Sequence, residues 1–139
     1  MSLIRWRDSL SLGIEAIDND HRQLITILNR LHFMAIAGDD RAALGEVLRE
    51  LLDYTRSHFA REEMLMRLAA YPGYEAHRKI HRQLTEKVAG YEAKYRAKPK
   101  HFDFERFYDF IADWLVVHVM EEDMKIQPFV ARLASTTAA

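Results

Sequence analysis

The chain has 139 residues, with 20 Lys or Arg against 21 Asp or Glu and a formal net charge of -1. So even a balance gives no general attraction to nucleic acid or to an anionic membrane. There is no cysteine, which excludes disulfides, iron–sulfur clusters, Cys-type zinc and blue copper, and leaves nitrogen and oxygen as the only ligands for a metal.

A hydrophobic share of 49% supplies the core of one ordinary domain. No targeting segment and no run of 18 uncharged apolar residues is visible, so the expected compartment is the cytoplasm and no membrane segment is expected. Five glycines and three prolines favour a few long helices over many short strands.

Residues 1–17 read as an N-terminal arm packed on the domain, with Trp6 lying on its outside. Asp18 or Asn19 is positioned to cap a first helix. Along it His21, Leu24, Leu28, Leu31 and Ala35 share a face, flanked by Ile25 and His32, up to a C-cap at Gly38. Asp39 or Asp40 starts a second helix, whose broad inward face includes Leu44, Leu48, Leu51, Thr55, His58, Phe59, Glu62 and Met66. It stops near Ala69, before Pro72-Gly73.

A third helix is expected from about Gly73 to Arg96, with Tyr74, His77, His81, Leu84, Val88, Tyr91 and Tyr95 on one side. A fourth is capped by Asp103 and carries Phe104, Phe107, Ile111, Leu115 and His118, widened by Trp114 and Val119. Pro128 ends or interrupts whatever continues past Asp123, and residues 134–139 read as a frayed tail. The pattern predicts an all-α fold, an up-down-up-down four-helix bundle over residues 18–133.

Each predicted helix carries a metal-capable side chain on its apolar face. His58 and Glu62, and likewise His77 and His81, stand four residues apart, so each pair points one way. In an antiparallel bundle His21, His58, His77, His81 and His118 all fall toward the same end. Asp123 lies five residues past His118, about 140° beyond one full turn, and reaches inward only if the helix bends or tightens there. Buried unpaired, such groups are expensive.

Any one of these histidines alone is more often an ordinary core or surface residue. Zinc competes for the same ligand types, but a structural zinc uses four ligands and a catalytic one usually three plus water, too few to employ all the candidates. The Glu-x-x-His pairs of ferritin-like bundles are absent. Five imidazoles with two bridging carboxylates, Glu62 and Asp123, suit a dinuclear iron site. Glu63, Glu121 and Glu122 are expected to face solvent or to touch the ligands from outside. His32 and His101 fall too far along the bundle to join and are expected to be surface or structural groups.

The chain resembles the hemerythrins, in particular their single-domain bacterial form. The resemblance rests on Ile17-Asp18-Asn19-Asp20-His21, His58-Phe59-Ala60-Arg61-Glu62-Glu63, His77-Arg78-Lys79-Ile80-His81 and Trp114-Leu115-Val116-Val117-His118, followed by Asp123, and spans Trp6 to about Val130. It implies two iron ions per chain with a bridging oxo or hydroxo group. His77, His81 and His118 would hold one iron, His21 and His58 the other, which keeps an open position; Glu62 and Asp123 would bridge them. Phe59, Trp114, Leu115 and Val119 match the family's pocket lining, and Leu24 and Leu28 extend it. Asp20 stands where the bacterial pattern commonly has Gln, a departure that leaves all seven ligands intact.

The function the resemblance implies is reversible dioxygen binding, for oxygen storage, transport, delivery or sensing. No attached domain is visible, which favours a self-contained carrier. Dioxygen is the expected partner, with nitric oxide, small anions and a protein that receives oxygen as further ones. An alternative gives the same irons an oxidase, peroxidase or nitric oxide-handling activity, although the sequence places no additional acid or base in the pocket. A third reading is a bundle whose metal supplies folding energy.

Overall fold

A computed structural model describes residues 4–38 and 40–138, with side chains through residue 133. Among them are four long helices, α1 (Glu15–Ala37), α2 (Arg41–Leu68), α3 (Tyr74–Ala97) and α4 (Phe104–Glu121), and a shorter α5 (Gln127–Ala138). The long helices form the expected up-down-up-down bundle, in which α1 packs against both α2 and α4, and α2 against α3.

The core follows from helical spacing. Leu24, Leu28 and Leu31 of α1 face Leu44, Leu48 and Leu51 of α2, with Leu84 and Val88 of α3 and Phe107, Ile111 and Leu115 of α4 closing the middle. These stripes recur every three or four residues, so one side of each helix is removed from water while its charged side stays wet.

The start of α1 differs from expectation. The helix begins at Glu15, with Ile14 at the N-cap and no side-chain cap. Asp18, already inside the first turn, instead accepts hydrogen bonds from the Leu12 N–H at 2.8 Å and from the Ser11 hydroxyl. Its carboxylate is more valuable there, because the buried Leu12 amide has no helix to join. The arm is fastened further by Asn29, whose amide donates to the Ile4 carbonyl at 2.8 Å, and by Trp6, half-buried under the Arg22 guanidinium.

Gly38 ends α1 with φ 74°, a conformation that L side chains resist. Asp39 lies outside the described residues. Asp40 occupies the N-cap of α2, without a side-chain cap bond. Near the start of α2, a side chain at Gly45 would collide with Tyr95, whose hydroxyl donates to the Arg41 carbonyl at 2.7 Å. Asp103 caps α4 as expected, accepting from the Arg106 N–H.

Beyond α4 the chain tightens into a 3-10 turn, Asp123–Ile126, and then re-enters a helix. Pro128 falls in the first turn of α5, where its missing N–H breaks no bond; it opens a helix rather than ending one. The α5 backbone is helical through Ala138, across the stretch marked as a tail. Ile126 and Val130 pack on Met66 of α2, forming a second apolar cluster at this end of the bundle. That lid closes the end to which the polar side chains converge.

Candidate metal centre

The four long helices deliver His21, His58 with Glu62, His77 with His81, and His118 to one level. The 3-10 turn adds Asp123. An α-helix continued past Glu121 would carry position 123 away from the His118 face; ending it there turns the carboxylate inward. All seven side chains are at least 96% buried, with Asp123 fully so.

The carboxylate oxygens divide the histidines into two sets. Glu62 Oε1 lies 2.8 Å from His77 Nε2 and 3.1 Å from His81 Nε2, and Asp123 Oδ1 lies 3.0 Å from the Nε2 of both His77 and His118. The opposite oxygens serve the other side: Glu62 Oε2 lies 3.3 Å from His58 Nε2 and 3.9 Å from His21 Nε2, and Asp123 Oδ2 lies 3.1 Å from His21 Nε2. Two metal-capable groups result, Glu62-His77-His81-His118-Asp123 and His21-His58-Glu62-Asp123, sharing both acids.

Proximity has not satisfied these atoms. His21 Nε2, His81 Nε2, Glu62 Oε2 and both Asp123 oxygens lack a hydrogen-bond partner of acceptable geometry, and the Nε2 atoms of His77 and His118 face one another at 3.2 Å. Buried polar atoms are almost always paired. Lone pairs pointed at two common centres, on side chains buried from solvent, fit metal cations instead. With neutral rings the two carboxylates contribute a charge of about -2, which divalent cations offset.

Around the cluster, charge is arranged to favour the ionised acids. Burial raises the Glu62 carboxyl, but the His58, His77 and His81 rings close against its oxygens outweigh it and hold the group well below the usual carboxylate range. Burial and the charge of Glu62 raise Asp123, yet His118, His21 and His77 keep it lowered too. Burial pulls His58 down, but its bond to Asp20 and the nearby Glu62 carboxylate lift it to about 9; for His77, the neighbouring Asp123 and Glu62 carboxylates do the same, also to about 9. Without a metal, His58 and His77 therefore favour their protonated forms beside the two acids.

Aromatic rings wall the site. Phe59 stacks on His81 at 3.8 Å between centroids, and Trp114 on His118 at 4.3 Å. Behind them lies a cavity of about 20 Å³, lined by Leu24, Leu28, Leu51, Thr55, Phe59, Leu84, Val88, Ile111, Trp114 and Leu115. Five of the six expected lining residues are there; Val119 is buried in the core but does not line the cavity. Thr55 brings the one hydroxyl, and it is committed to the Leu51 carbonyl at 2.7 Å. A water needs two or more polar partners, so this space is dry.

Outside the seven, Glu63 Oε2 meets His81 Nδ1 at 3.0 Å, the outer contact foreseen for it. Glu121 is exposed, and Glu122 pairs with Lys125. Asp20, noted in the sequence only as a departure, is buried against His58 Nδ1 at 3.1 Å. The signal for it was its place beside His21, since its partner lies 38 residues away. His32 is structural: buried, 3.3 Å from Glu105 and against the Tyr108 ring. His101 is exposed.

The family comparison matches this geometry. The model of the hemerythrin HHE cation binding domain fits residues 12–130, and the chain belongs to the hemerythrin family. It is 42% identical over 123 residues to a bacteriohemerythrin of Stenotrophomonas maltophilia and 38% identical over the same length to one of Pseudomonas aeruginosa; each alignment covers 88% of this chain and 78% of the relative. A crystal structure of wild-type hemerythrin superposes with a TM-score of 0.86 at 28% identity, covering 93% of this chain and 98% of that one.

Proposed function

We propose that the chain holds two iron ions and takes up dioxygen reversibly at them, in an oxygen storage, delivery or sensing role. The observation that carries this reading is the division of the carboxylate oxygens: one oxygen of Glu62 and one of Asp123 face three histidines, and the other oxygen of each faces two. Carboxylates shared in that way, Glu62 and Asp123, would be common ligands to a pair of metals.

His77, His81 and His118 would hold one iron, and His21 and His58 the other, with both acids common to them. An iron pair held there would supply reversible two-electron redox chemistry, and the half held by His21 and His58 has one histidine fewer. The chain's own residues then protect that chemistry. Phe59, Trp114 and the leucines of the cavity exclude water, which would otherwise deliver protons and drive irreversible oxidation. The apolar lid of Ile126 from the 3-10 turn and Val130 from α5, packed on Met66, closes the opposite approach.

The oxidase or peroxidase alternative asks for a group that passes protons to a reacting substrate. Thr55 is the one hydroxyl of the cavity wall and is already engaged, which favours the carrier. Metal analysis after anaerobic loading tests the reading: it requires two irons per chain. One zinc per chain and no iron uptake would contradict it. Stoichiometric release of reduced oxygen products would transfer the assignment to an oxidase.

A further inference from the structure

The five clustered histidines differ on the side of the ring that faces away from the metal positions. His58 Nδ1 meets Asp20 Oδ2 at 3.1 Å, and His81 Nδ1 meets Glu63 Oε2 at 3.0 Å. His21 Nδ1 and His77 Nδ1 are buried without a partner. Sorted by the inner carboxylate oxygens they face, His58 belongs with His21 and His81 with His77 and His118. Each half of the cluster therefore has a carboxylate behind one of its rings.

The two backings are built differently. Asp20 is 5% exposed at its side chain. Arg61 grips it as a fork, Nε to Oδ2 at 2.8 Å and Nη2 to Oδ1 at 2.7 Å, and the Tyr54 hydroxyl donates to Oδ1 at 2.8 Å. With His58, each carboxylate oxygen is met by two donors, so Asp20 can neither rotate nor withdraw. Glu63 is 23% exposed, and its other oxygen is 3.8 Å from Arg78 Nε, beyond hydrogen-bonding range. The firm support stands behind the half with two histidines. In that half His21 has no outer bond; its ring sits edge-on to His58, 4.7 Å between centroids.

We infer that Asp20 is the positioning residue of the two-histidine metal half, with Arg61 and Tyr54 acting through it. Asp20 fixes the proton of His58 on Nδ1, which leaves Nε2 bare and aimed inward, and the held ring of His58 sets the place of His21. A half with one ligand fewer gains most from having its ligands fixed in advance, since the ordering is completed before the ion arrives. Loss of such an outer carboxylate typically costs about 10- to 100-fold in metal affinity. This inference rests on the di-iron reading above.

The test is release of Fe(II) from the anaerobically loaded protein to an excess of a coloured Fe(II) chelator. Asp20→Asn, which keeps the shape and removes the charge, is expected to speed the loss of one iron of the two by about 10- to 100-fold and to leave the other unchanged. Glu63→Gln should accelerate the other iron, and less; the double variant should show both fast phases. Arg61→Lys, at a half-exposed position where folding is not at stake, keeps the cation but not the fork and should fall between wild type and Asp20→Asn. In cobalt(II)-loaded protein, Asp20→Asn should alter the visible d–d bands of half of the bound metal. Equal acceleration of both irons, or unchanged release in both Asp20→Asn and Arg61→Lys, overturns the positioning role while leaving the di-iron reading intact. A wild-type chain without two irons overturns both.

Discussion

Asp123 Oδ1 stands 3.0 Å from His118 Nε2 although the two residues are five apart. The 3-10 turn after Glu121 makes that meeting possible, and it gives Asp123 a second face toward His21. If Asp123 and Glu62 both bridge, neither can be spared. Asp123→Ala and Glu62→Ala should each fall below two irons per chain, whereas Glu121→Ala, exposed at the last residue of α4, should keep two. Elemental analysis of the purified variants checks this; full iron content in Asp123→Ala would remove it from the ligand set.

The end of α2 stores strain. Ala70 adopts φ 53°, while Tyr71 N–H reaches back to the Met66 carbonyl at 2.9 Å, a helix ending usually made by glycine. Relief of the left-handed alanine, less the greater freedom of glycine in the unfolded chain, should make Ala70→Gly more stable by about 0.5–1 kcal/mol. Chemical denaturation of the two proteins measures the difference, and a loss of stability would contradict it.

The raised histidines give the metal-free protein a definite pH dependence. His58 and His77 titrate near 6.5 when unperturbed and at about 9 in the fold, so the folded state binds their protons more tightly. Their stabilisation is complete below about pH 6.5 and is lost as pH rises through about 9. The thermal midpoint of metal-free protein should fall across that window, at constant ionic strength. Metal loading has the opposite sign. Ions must displace those protons, so loading at pH 7 should release protons and weaken in acid. A midpoint that rises between pH 6.5 and 9 would contradict the protonated cluster.

Dryness of the cavity is separable from its size. Leu24→Asn places an amide of similar bulk beside the aromatic wall and gives a water polar partners. The variant should hold its irons yet oxidise irreversibly at least several-fold faster, alongside a core penalty of roughly 1–3 kcal/mol. The decay of the oxygenated spectrum in air reads the rate. An unchanged rate with water in the cavity would show that exclusion of solvent is not what protects the site.

Much of this arrangement was legible in the chain. The spacing of Leu24, Leu28 and Leu31, or of Phe107, Ile111 and Leu115, defines helix faces because burial there repeats with the helical turn. The depth agreement of His21, His58, His77, His81 and His118 follows from antiparallel topology alone. What escaped depended on tertiary contacts. Asp18 carries the look of a cap, but the demand of the buried Leu12 amide is invisible in a linear string. Pro128 reads as a stop, and it becomes a start only because the 3-10 turn before it has already ended α4. The Asp20 carboxylate gains its role from Tyr54, His58 and Arg61, all on another helix.

Reversible oxygenation tests the central claim most directly. Protein loaded with Fe(II) and kept anaerobic should develop a visible ligand-to-iron absorption on exposure to dioxygen, lose it when the gas is removed, and repeat the cycle with two irons retained per chain. A spectrum that stays silent, or one that appears once and never reverses in fresh wild-type protein, would contradict the account.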